Sequence, residues 1–451
     1  MQALVIVITL ICMALMFLLR RDYKIAVLFM TTILMRPVIL PFKGITATMA
    51  VSLAFVLSEL PGIRLHWKRL GKSPMLPYLI LLALSASICI VTSPNLHNAS
   101  DAGYFVLSEL FVKYFALVYA FISLRRRRSV KALLTVSFVS LVLMTLVGYV
   151  NQLSGYSFFV DSLFEDTFGE YNFAATTRFR VQATFVNPFD YGYMCVLLAL
   201  LHLYGFQQKM ESLPVLAISQ LCCLYGVFAC NCRTILFCYA ICLLVYFVAV
   251  QKKRITKIEI VFGVLAIGVL IFAVSPSMRK IIMNVASIFD PTSVTKGSSL
   301  AMRILQFTTV LYYIQGNALF GRGVHFFARD LGWENGSANA VDSDLYGLEG
   351  IYLNMLLERG VLGFVLYLSI LLLLLVFLVR NRRMGRRLYA LGASSLALYI
   401  MFSFMTGELL SAAPTFYILG YVLANLHLRR RYLELVGHDR TKPQLKPECQ
   451  A

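Results

Sequence analysis

Four of the arginines outside the basic runs of this chain could bind an anion. They are Arg180 in "FRVQATFVNPF", Arg233 in "NCRTILF", Arg303 in "SSLAMRILQF" and Arg322 in "LFGRGVHFF". Arginine is charged at any accessible pH and can bind a phosphate through two parallel hydrogen bonds. A single arginine near a membrane more often extends its charge to lipid head groups. Several such arginines together favour an anionic substrate.

Carboxylates are concentrated in "AVDSDLYGLEGIYLNMLLERG", just before another apolar run. Asp342, Asp344 and Glu349 are candidates for a general base, which accepts a proton from an attacking hydroxyl. A solvated acidic loop is the plainer interpretation of the same residues. Two aspartates at i and i+2 are weak evidence for a metal, so no metal site is predicted. His325 could also take part, although a lone histidine is more often a packing residue.

The hydropathy of the chain predicts the elements that must position these side chains. The chain has 451 residues, 59% of them hydrophobic, and a mean hydropathy of +0.76. A soluble domain is rarely more than about half apolar. Here the apolar residues form blocks of roughly 17 to 21, long enough to cross a membrane as helices. The sequence therefore predicts an all-α polytopic membrane protein with about 12–14 transmembrane helices.

Thirteen segments have this character. They are 2–19, 25–40, 45–60, 76–92, 104–124, 130–150, 189–206, 213–229, 233–250, 257–274, 361–379, 388–406 and 412–427. The first segment lacks a basic start and a cleavage site, so an anchoring span is favoured over a signal peptide.

The loops between these segments fall into two sets that alternate along the chain. The basic set is 20–24, 64–72, 125–131, 251–257, 380–387 and 429–431, and the other set is 93–103, 151–188, 275–360 and 407–411. Basic loops face the cytoplasm, so the N-terminus is predicted outside and the C-terminus inside. The net charge of +19 then reflects membrane orientation, and nucleic-acid binding is not predicted.

Six regions follow from this pattern. They are N-terminal helices (1–150), an outer loop (151–188), central helices (189–274), a large outer loop bearing the candidate residues (275–360), C-terminal helices (361–427) and a cytoplasmic tail (428–451). Asn187 and Pro188 are expected to shape the start of a helix below Arg180. Charges inside the predicted spans are sparse, and Glu109 and Lys113, at i and i+4, are expected to pair with each other. This sparseness weakens a transporter or flippase hypothesis.

The order of these motifs resembles the O-antigen polymerase and O-antigen ligase superfamily of bacterial polysaccharide assembly, the Wzy and WaaL type. The similar stretches are "RVQATFVNPFDYGYM", "NCRTILF", "RILQFTTVLYYIQGNALFGRGV" and "EGIYLNMLLERGVLGFVLYL". They follow the family order across residues 180 to 370. The resemblance implies a membrane-embedded glycosyltransferase with a large, partly helical periplasmic loop, similar to the GT-C type, in the bacterial inner membrane.

The resemblance also implies a substrate and residue roles. The substrate would be a glycan on undecaprenyl pyrophosphate, with Arg180, Arg233 and Arg303 neutralising the diphosphate and Arg322 beside them. No cofactor is expected, since no nucleotide motif is present. The ligases carry a histidine at the position of Glu349, three residues before Tyr352, so ligase activity onto lipid A core is in doubt. This departure favours a polymerase, with a ligase or a lipid-linked oligosaccharide flippase as alternatives.

The sequence leaves several properties open. It does not specify the sugars, their linkage, the oligomeric state or whether a chain-length regulator binds. It also does not distinguish O-antigen from capsule or exopolysaccharide, or establish which carboxylate is the base.

Overall fold

The structure is a computed structural model, and it describes part of the chain. The described residues are 2–35, 45–71, 73–155, 157, 180–185, 187–253, 255–256, 258–259, 261–263, 283, 300–331, 345, 348, 350–405 and 412–438. Three predicted site residues, Asp342, Asp344 and Glu349, lie outside these ranges. The predicted span 257–274 and the tail beyond residue 438 also lie mostly or wholly outside them.

Helices account for nearly all of the regular structure in these ranges, and no strand occurs within them. In chain order the helices are α1 (Gln2–Leu18), α2 (Arg21–Leu34), α3 (Ala47–Glu59), α4 (Ile63–Gly71), α5 (Met75–Thr92), α6 (Ala99–Ser123), α7 (Arg127–Ser154), α8 (Pro188–Gln207), α9 (Leu213–Ala229), α10 (Arg233–Val250), α11 (Leu300–Tyr313), α12 (Ile351–Arg380), α13 (Arg386–Met405) and α14 (Ala412–His438).

Seven of the described helices are long and apolar enough to cross a membrane: α5, α6, α7, α8, α10, α12 and α13. Shorter apolar helices coincide with α1, α3 and α9. The prediction of an all-α polytopic membrane protein is therefore confirmed. Several predicted boundaries differ from the structure, among them the end of α14, which extends to His438 rather than ending at 427. Helix α2 ends at Leu34 rather than continuing to residue 40, and α12 begins at Ile351, ahead of the predicted span at 361.

Helix α8 is the centre of the bundle. Its sequence, "PFDYGYMCVLLALLHLYGFQ", is apolar around the whole helix, which is the pattern of a helix enclosed on all sides. Most of its residues are buried, and it packs against α7, α9, α10, α13 and α14. Because α8 begins at Pro188, this packing holds the segment that carries Arg180 at one end of the bundle.

The basic loops meet on one face of the bundle. Hydrogen bonds join these loops in pairs: Ser129 to Asp22, Arg127 to the Lys209 carbonyl, Arg387 to the Gln207 carbonyl, Arg386 to the Gln251 carbonyl and Arg429 to the Met384 carbonyl. Glu59, on the same face, pairs with Arg21 and Lys24. These contacts agree with the predicted grouping of the basic loops.

The loops of the other set meet at the opposite face, which is called the outer face below. Contacts between 93–103 and 275–360 include Val324 N–H to Ser93 Oγ, Asn95 to Asp330 and Arg329 to Asp101. The described end of 151–188 contacts helix ends, through Val181 N–H to the Ala229 carbonyl and Thr184 to the Ile33 carbonyl. The two sets of loops therefore lie at opposite ends of the bundle. Which end faces the cytoplasm stays a prediction.

Candidate functional site

Arg180 lies at the outer end of α8. Its guanidinium carbon is 5.7 Å from the centre of the Phe189 ring, a distance typical of a cation–π contact. The next residue, Val181, donates its N–H to the carbonyl of Ala229 at the end of α9. This bond fixes the segment of Arg180 against the turn between α9 and α10.

Asn187 begins α8 as predicted. Its Oδ1 accepts the N–H of Phe189 at 2.9 Å, and Pro188 occupies the first turn. Asparagine at the N-cap accepts a hydrogen bond from a backbone N–H group of the first turn. Proline has no backbone N–H group, so in the first turn it leaves no donor without a partner. The sequence "NPF" therefore sets where α8 starts and how the Arg180 segment enters it.

Loss of the Asn187 cap is expected to destabilise the protein modestly. Asn187→Ala removes the hydrogen bond to Phe189 and should lower the free energy of unfolding by about 1 kcal/mol. Unfolding of the purified protein by denaturant in mixed micelles measures this. Ser212→Ala is the matched control, because Ser212 precedes α9 without a side-chain cap. Equal losses for the two variants would contradict the capping role.

Arg233 is the first residue of α10 and is half-buried. The turn before it follows Ala229, whose carbonyl holds Val181. Arg180 and Arg233 therefore belong to neighbouring segments on the outer face, although about fifty residues separate them in the chain.

A second group of predicted residues lies around α11. Arg303 donates to Gln306 Oε1 at 2.7 Å, and Gln306 is buried. The apolar side of α11 forms a small core whose buried members are Val310, Ile314, Phe327, Leu345, Leu348, Leu356 and Leu357. This core attaches α11 to the start of α12.

Arg322 follows α11 and is exposed. Its Nε donates to the carbonyl of Tyr313, and its guanidinium carbon is 5.9 Å from the centre of the Phe326 ring. These two contacts leave part of the guanidinium accessible from the outer face.

Helix α12 is interrupted at Gly360, where the backbone has φ 62° and ψ −167°. Residues 318–323 fill this interruption. Four backbone hydrogen bonds join the two segments: Val361 N–H to Ala318 O (2.9 Å), Leu362 N–H to Leu319 O (3.1 Å), Arg322 N–H to Leu357 O (2.9 Å) and Gly323 N–H to Glu358 O (2.8 Å). In an unbroken helix Val361 and Leu362 would bond the carbonyls of Leu357 and Glu358 instead. The inserted segment therefore replaces two lost helical bonds with four new ones.

His325 has a positive φ of 66°, which only a few per cent of non-glycine residues adopt. This turn directs the backbone N–H groups of His325 and Phe327 at the carboxylate of Glu358. Glu358 is half-buried, whereas the sequence placed it in a solvated acidic loop. The structure thus gives the backbone of the His325 turn a structural role.

A buried cluster of charges lies below this turn. Glu109 pairs with Lys113 as predicted, and it also binds Arg359, whose Nη2 is 3.2 Å from Glu109 Oε2. All three side chains are buried. The helix around Glu109 is π-helical over Val106–Tyr114, a widening often found at functional sites. Arg359 was missed from the sequence, because the spacing of Glu109 and Lys113 already explained both charges.

A narrow cavity adjoins this cluster. Ser85, Tyr114 and Tyr367 line it together with Glu109 and Arg359. Within the described part of the chain, the Arg359 Nε has no hydrogen-bond partner although it is buried. A buried donor of this kind usually bonds to an ordered water.

Tyr352 stands at the start of α12, three residues after the position of Glu349. Its ring contacts those of Phe364, Tyr367 and Phe404 at centroid distances of 5.8–6.2 Å. This aromatic cluster positions the first turn of α12 against α13. Arg180 and Arg233 lie in neighbouring segments, joined through the bond from Val181 to the Ala229 carbonyl. Arg303 lies on α11, and Arg322 follows it.

Arginines collected on one face of a helical bundle are suited to holding an anion at the membrane surface. The fold defines a polytopic α-helical membrane protein, in which Arg180, Arg233 and Arg322 lie in or beside the outer-face loops. Residues 218–368 match the family model described as O-antigen ligase, Wzy_C. This match confirms the predicted resemblance to the O-antigen polymerase and ligase superfamily over these residues. None of the curated proteins compared with the chain matches it.

Proposed function

We propose that this protein is a polysaccharide polymerase of the bacterial inner membrane. It would transfer a glycan from undecaprenyl pyrophosphate to an acceptor sugar on another lipid-linked repeat unit. One observation supports the proposal: the family match at 218–368 includes Arg233, Arg303 and Arg322, three of the four arginines proposed to bind the diphosphate. Proteins of this family act on lipid-linked oligosaccharides, which supports the choice of substrate.

The proposed reaction breaks the bond between the anomeric carbon of the donor sugar and the diphosphate oxygen. A hydroxyl of the acceptor sugar attacks that carbon, forms the new glycosidic bond and loses its proton to a carboxylate. Glu349 is the proposed base, with Asp342 and Asp344 as rivals. Undecaprenyl pyrophosphate leaves with the bonding electron pair.

Negative charge grows on the diphosphate as the glycosidic bond breaks. Cations held in position before the reaction stabilise such charge strongly, because they need no reorganisation. Arg180, Arg233, Arg303 and Arg322 would supply these cations from the predicted periplasmic face. The outer loop 275–360 would exclude water, which otherwise hydrolyses the donor.

A polymerase is favoured over a ligase because the chain has Glu349 where the ligases have histidine. A carboxylate can accept a proton in the same way, but the change points to a different acceptor. The flippase alternative is less favoured because transport coupled to ions usually needs charges near the middle of the membrane. In the described cluster, Lys113 and Arg359 are both paired with Glu109.

Reconstitution of the purified protein tests the proposal. It would receive undecaprenyl pyrophosphate-linked repeat units, without nucleotide and without lipid A core, and the products would be separated on a gel. A ladder, with release of undecaprenyl pyrophosphate, is expected. Transfer only after addition of lipid A core would mean a ligase. If a folded protein given an authentic substrate forms neither product, the flippase alternative is favoured.

Glu349→Gln is expected to lower the rate of ladder formation by at least about 100-fold, since glutamine cannot accept the proton. Binding of the donor should persist, and this can be checked with a labelled lipid-linked repeat unit. Asp342→Asn and Asp344→Asn are parallel variants. Full activity of Glu349→Gln, with loss in one of the aspartate variants, would assign the base to that aspartate.

Arg303→Lys and Arg233→Lys are expected to lower the rate about tenfold or more. Lysine keeps the charge but lacks the planar fork that binds two phosphate oxygens. Arg382→Lys is the control, because Arg382 is exposed on the opposite face. Unchanged rates in both arginine variants would mean that these side chains only contact lipid head groups.

A further inference from the structure

A second cationic feature lies on the basic-loop face, at the end of the bundle away from the candidate site. It is a cleft of about 530 Å³ bordered by the ends of α8, α10 and α12, the start of α13 and Arg429 of α14. This volume is typical of ligand pockets. The side chains that matter for its chemistry are Gln208, Lys252, Arg383, Arg386, Arg387 and Arg429. Among the residues that the structure describes, no carboxylate lines the cleft.

Three of the cleft's five cations donate hydrogen bonds to backbone carbonyls, which are neutral. Arg386 and Arg429 donate to the carbonyls of Gln251 and Met384 at 3.0 and 3.3 Å, and Arg387 donates to a third carbonyl. No ion pair within the described ranges includes any of the five basic side chains. Their charges converge on one volume without a protein counter-charge.

The backbone adds to this positive potential. Helix α13 begins at Arg386, so Arg386 and Arg387 occupy its first turn, which contains no acidic residue. The first N–H groups of a helix have no partners inside the helix, and this end of the helix dipole is positive. Two arginines at this position are unfavourable unless an anion is bound near them.

We propose that this cleft binds a phosphate-bearing anion. The head group of an anionic lipid is the source that its position favours, because the cleft opens where α8, α10 and α12 end and α13 begins, and all four are long and apolar enough to cross a membrane. Basic pockets between membrane helices at the cytoplasmic side are suited to such head groups. A soluble phosphate has the same chemistry and is separated from the lipid by experiment. This site is independent of the proposed transferase reaction.

Two double variants test the proposal, and each substituted position in one is adjacent in the chain to a substituted position in the other. Lys252→Gln with Arg383→Gln removes two charges from the cleft. Lys253→Gln with Arg382→Gln removes two charges from exposed neighbours that do not line it. No described hydrogen bond involves the side chains of Lys252 or Arg383, so neither change should disturb folding.

Binding would be measured on the purified full-length protein in neutral detergent. The probes are short-chain phosphatidylglycerol, inorganic pyrophosphate and, as the uncharged reference, short-chain phosphatidylcholine. Affinity for phosphatidylglycerol is expected to fall about 20-fold in the cleft variant and to stay nearly unchanged in the neighbour variant. If the cleft variant instead loses affinity for pyrophosphate alone, and the neighbour variant does not, the site binds a soluble phosphate. Equal losses in both variants, or no binding of either anion, would overturn the proposal.

Discussion

Gly360→Ala is expected to give little or no folded protein. Residue 360 has φ 62° and ψ −167°, a region that only glycine adopts without strain of about 1–3 kcal/mol. A β-carbon there would also lie 2.4 Å from the backbone nitrogen of Gly321 and 2.6 Å from the backbone of Leu319. Backbone atoms cannot move away cheaply, because residues 318–323 are held in the interruption of α12 by four hydrogen bonds.

The measurement is the yield of monodisperse protein and its unfolding in mixed micelles. Gly316→Ala is the matched control, since Gly316 also has a positive φ, of 84°, but open space around its β-carbon position. It should show the backbone strain without the collision. If Gly360→Ala were no less stable than Gly316→Ala, the close packing of the two segments would be refuted.

Glu109→Gln is expected to lower the free energy of unfolding by about 3–5 kcal/mol. The change keeps the shape of the side chain but leaves Lys113 and Arg359 buried without their shared carboxylate. An unpaired buried charge is far less stable than the same charge in water. The buried cluster of Glu109, Lys113 and Arg359 also joins α6 to α12 beside the interruption at Gly360. Loss of the Glu109 carboxylate should therefore loosen the attachment of α12.

Two further variants make this prediction specific. Adding Lys113→Met to Glu109→Gln removes one of the stranded charges and should restore part of the stability. Glu434→Gln is the matched control, because Glu434 pairs with Arg430 at the same spacing but on an exposed surface, where a pair contributes about 0–1 kcal/mol. A loss in Glu109→Gln no larger than in Glu434→Gln would show that the cluster is not energetically important.

The helices could be predicted from the sequence because each depends on its own residues. The apolar blocks at 213–229 and 233–250 match α9 and α10, since transfer of a segment into lipid depends on its length and composition. Local signals also set helix ends, as at Asn187, where the cap and the following proline act within one turn. The family motifs were recognisable for a similar reason, because they are short and keep their order.

Other features of the site could not be predicted. Nothing local to "LFGRGV" or "LERGVLG" indicates that the two stretches interlock. Their glycines are compatible with many turns, and only the approach of Gly321 to Gly360 shows why both are needed. Likewise, Glu109 seemed fully explained by Lys113, while its second partner, Arg359, lies 250 residues away in the chain.

The sequence by itself determined that this is a helical membrane protein, which loops lie together at each end, and which family its central domain resembles. Hydropathy, charge and short motifs act over a few residues, so they can be read without knowing the contacts. Tertiary structure alone decided the partner of Glu109, the insertion of residues 318–323 into α12, and the convergence of five cations in the cleft at the start of α13. Each of these depends on how distant segments pack against one another.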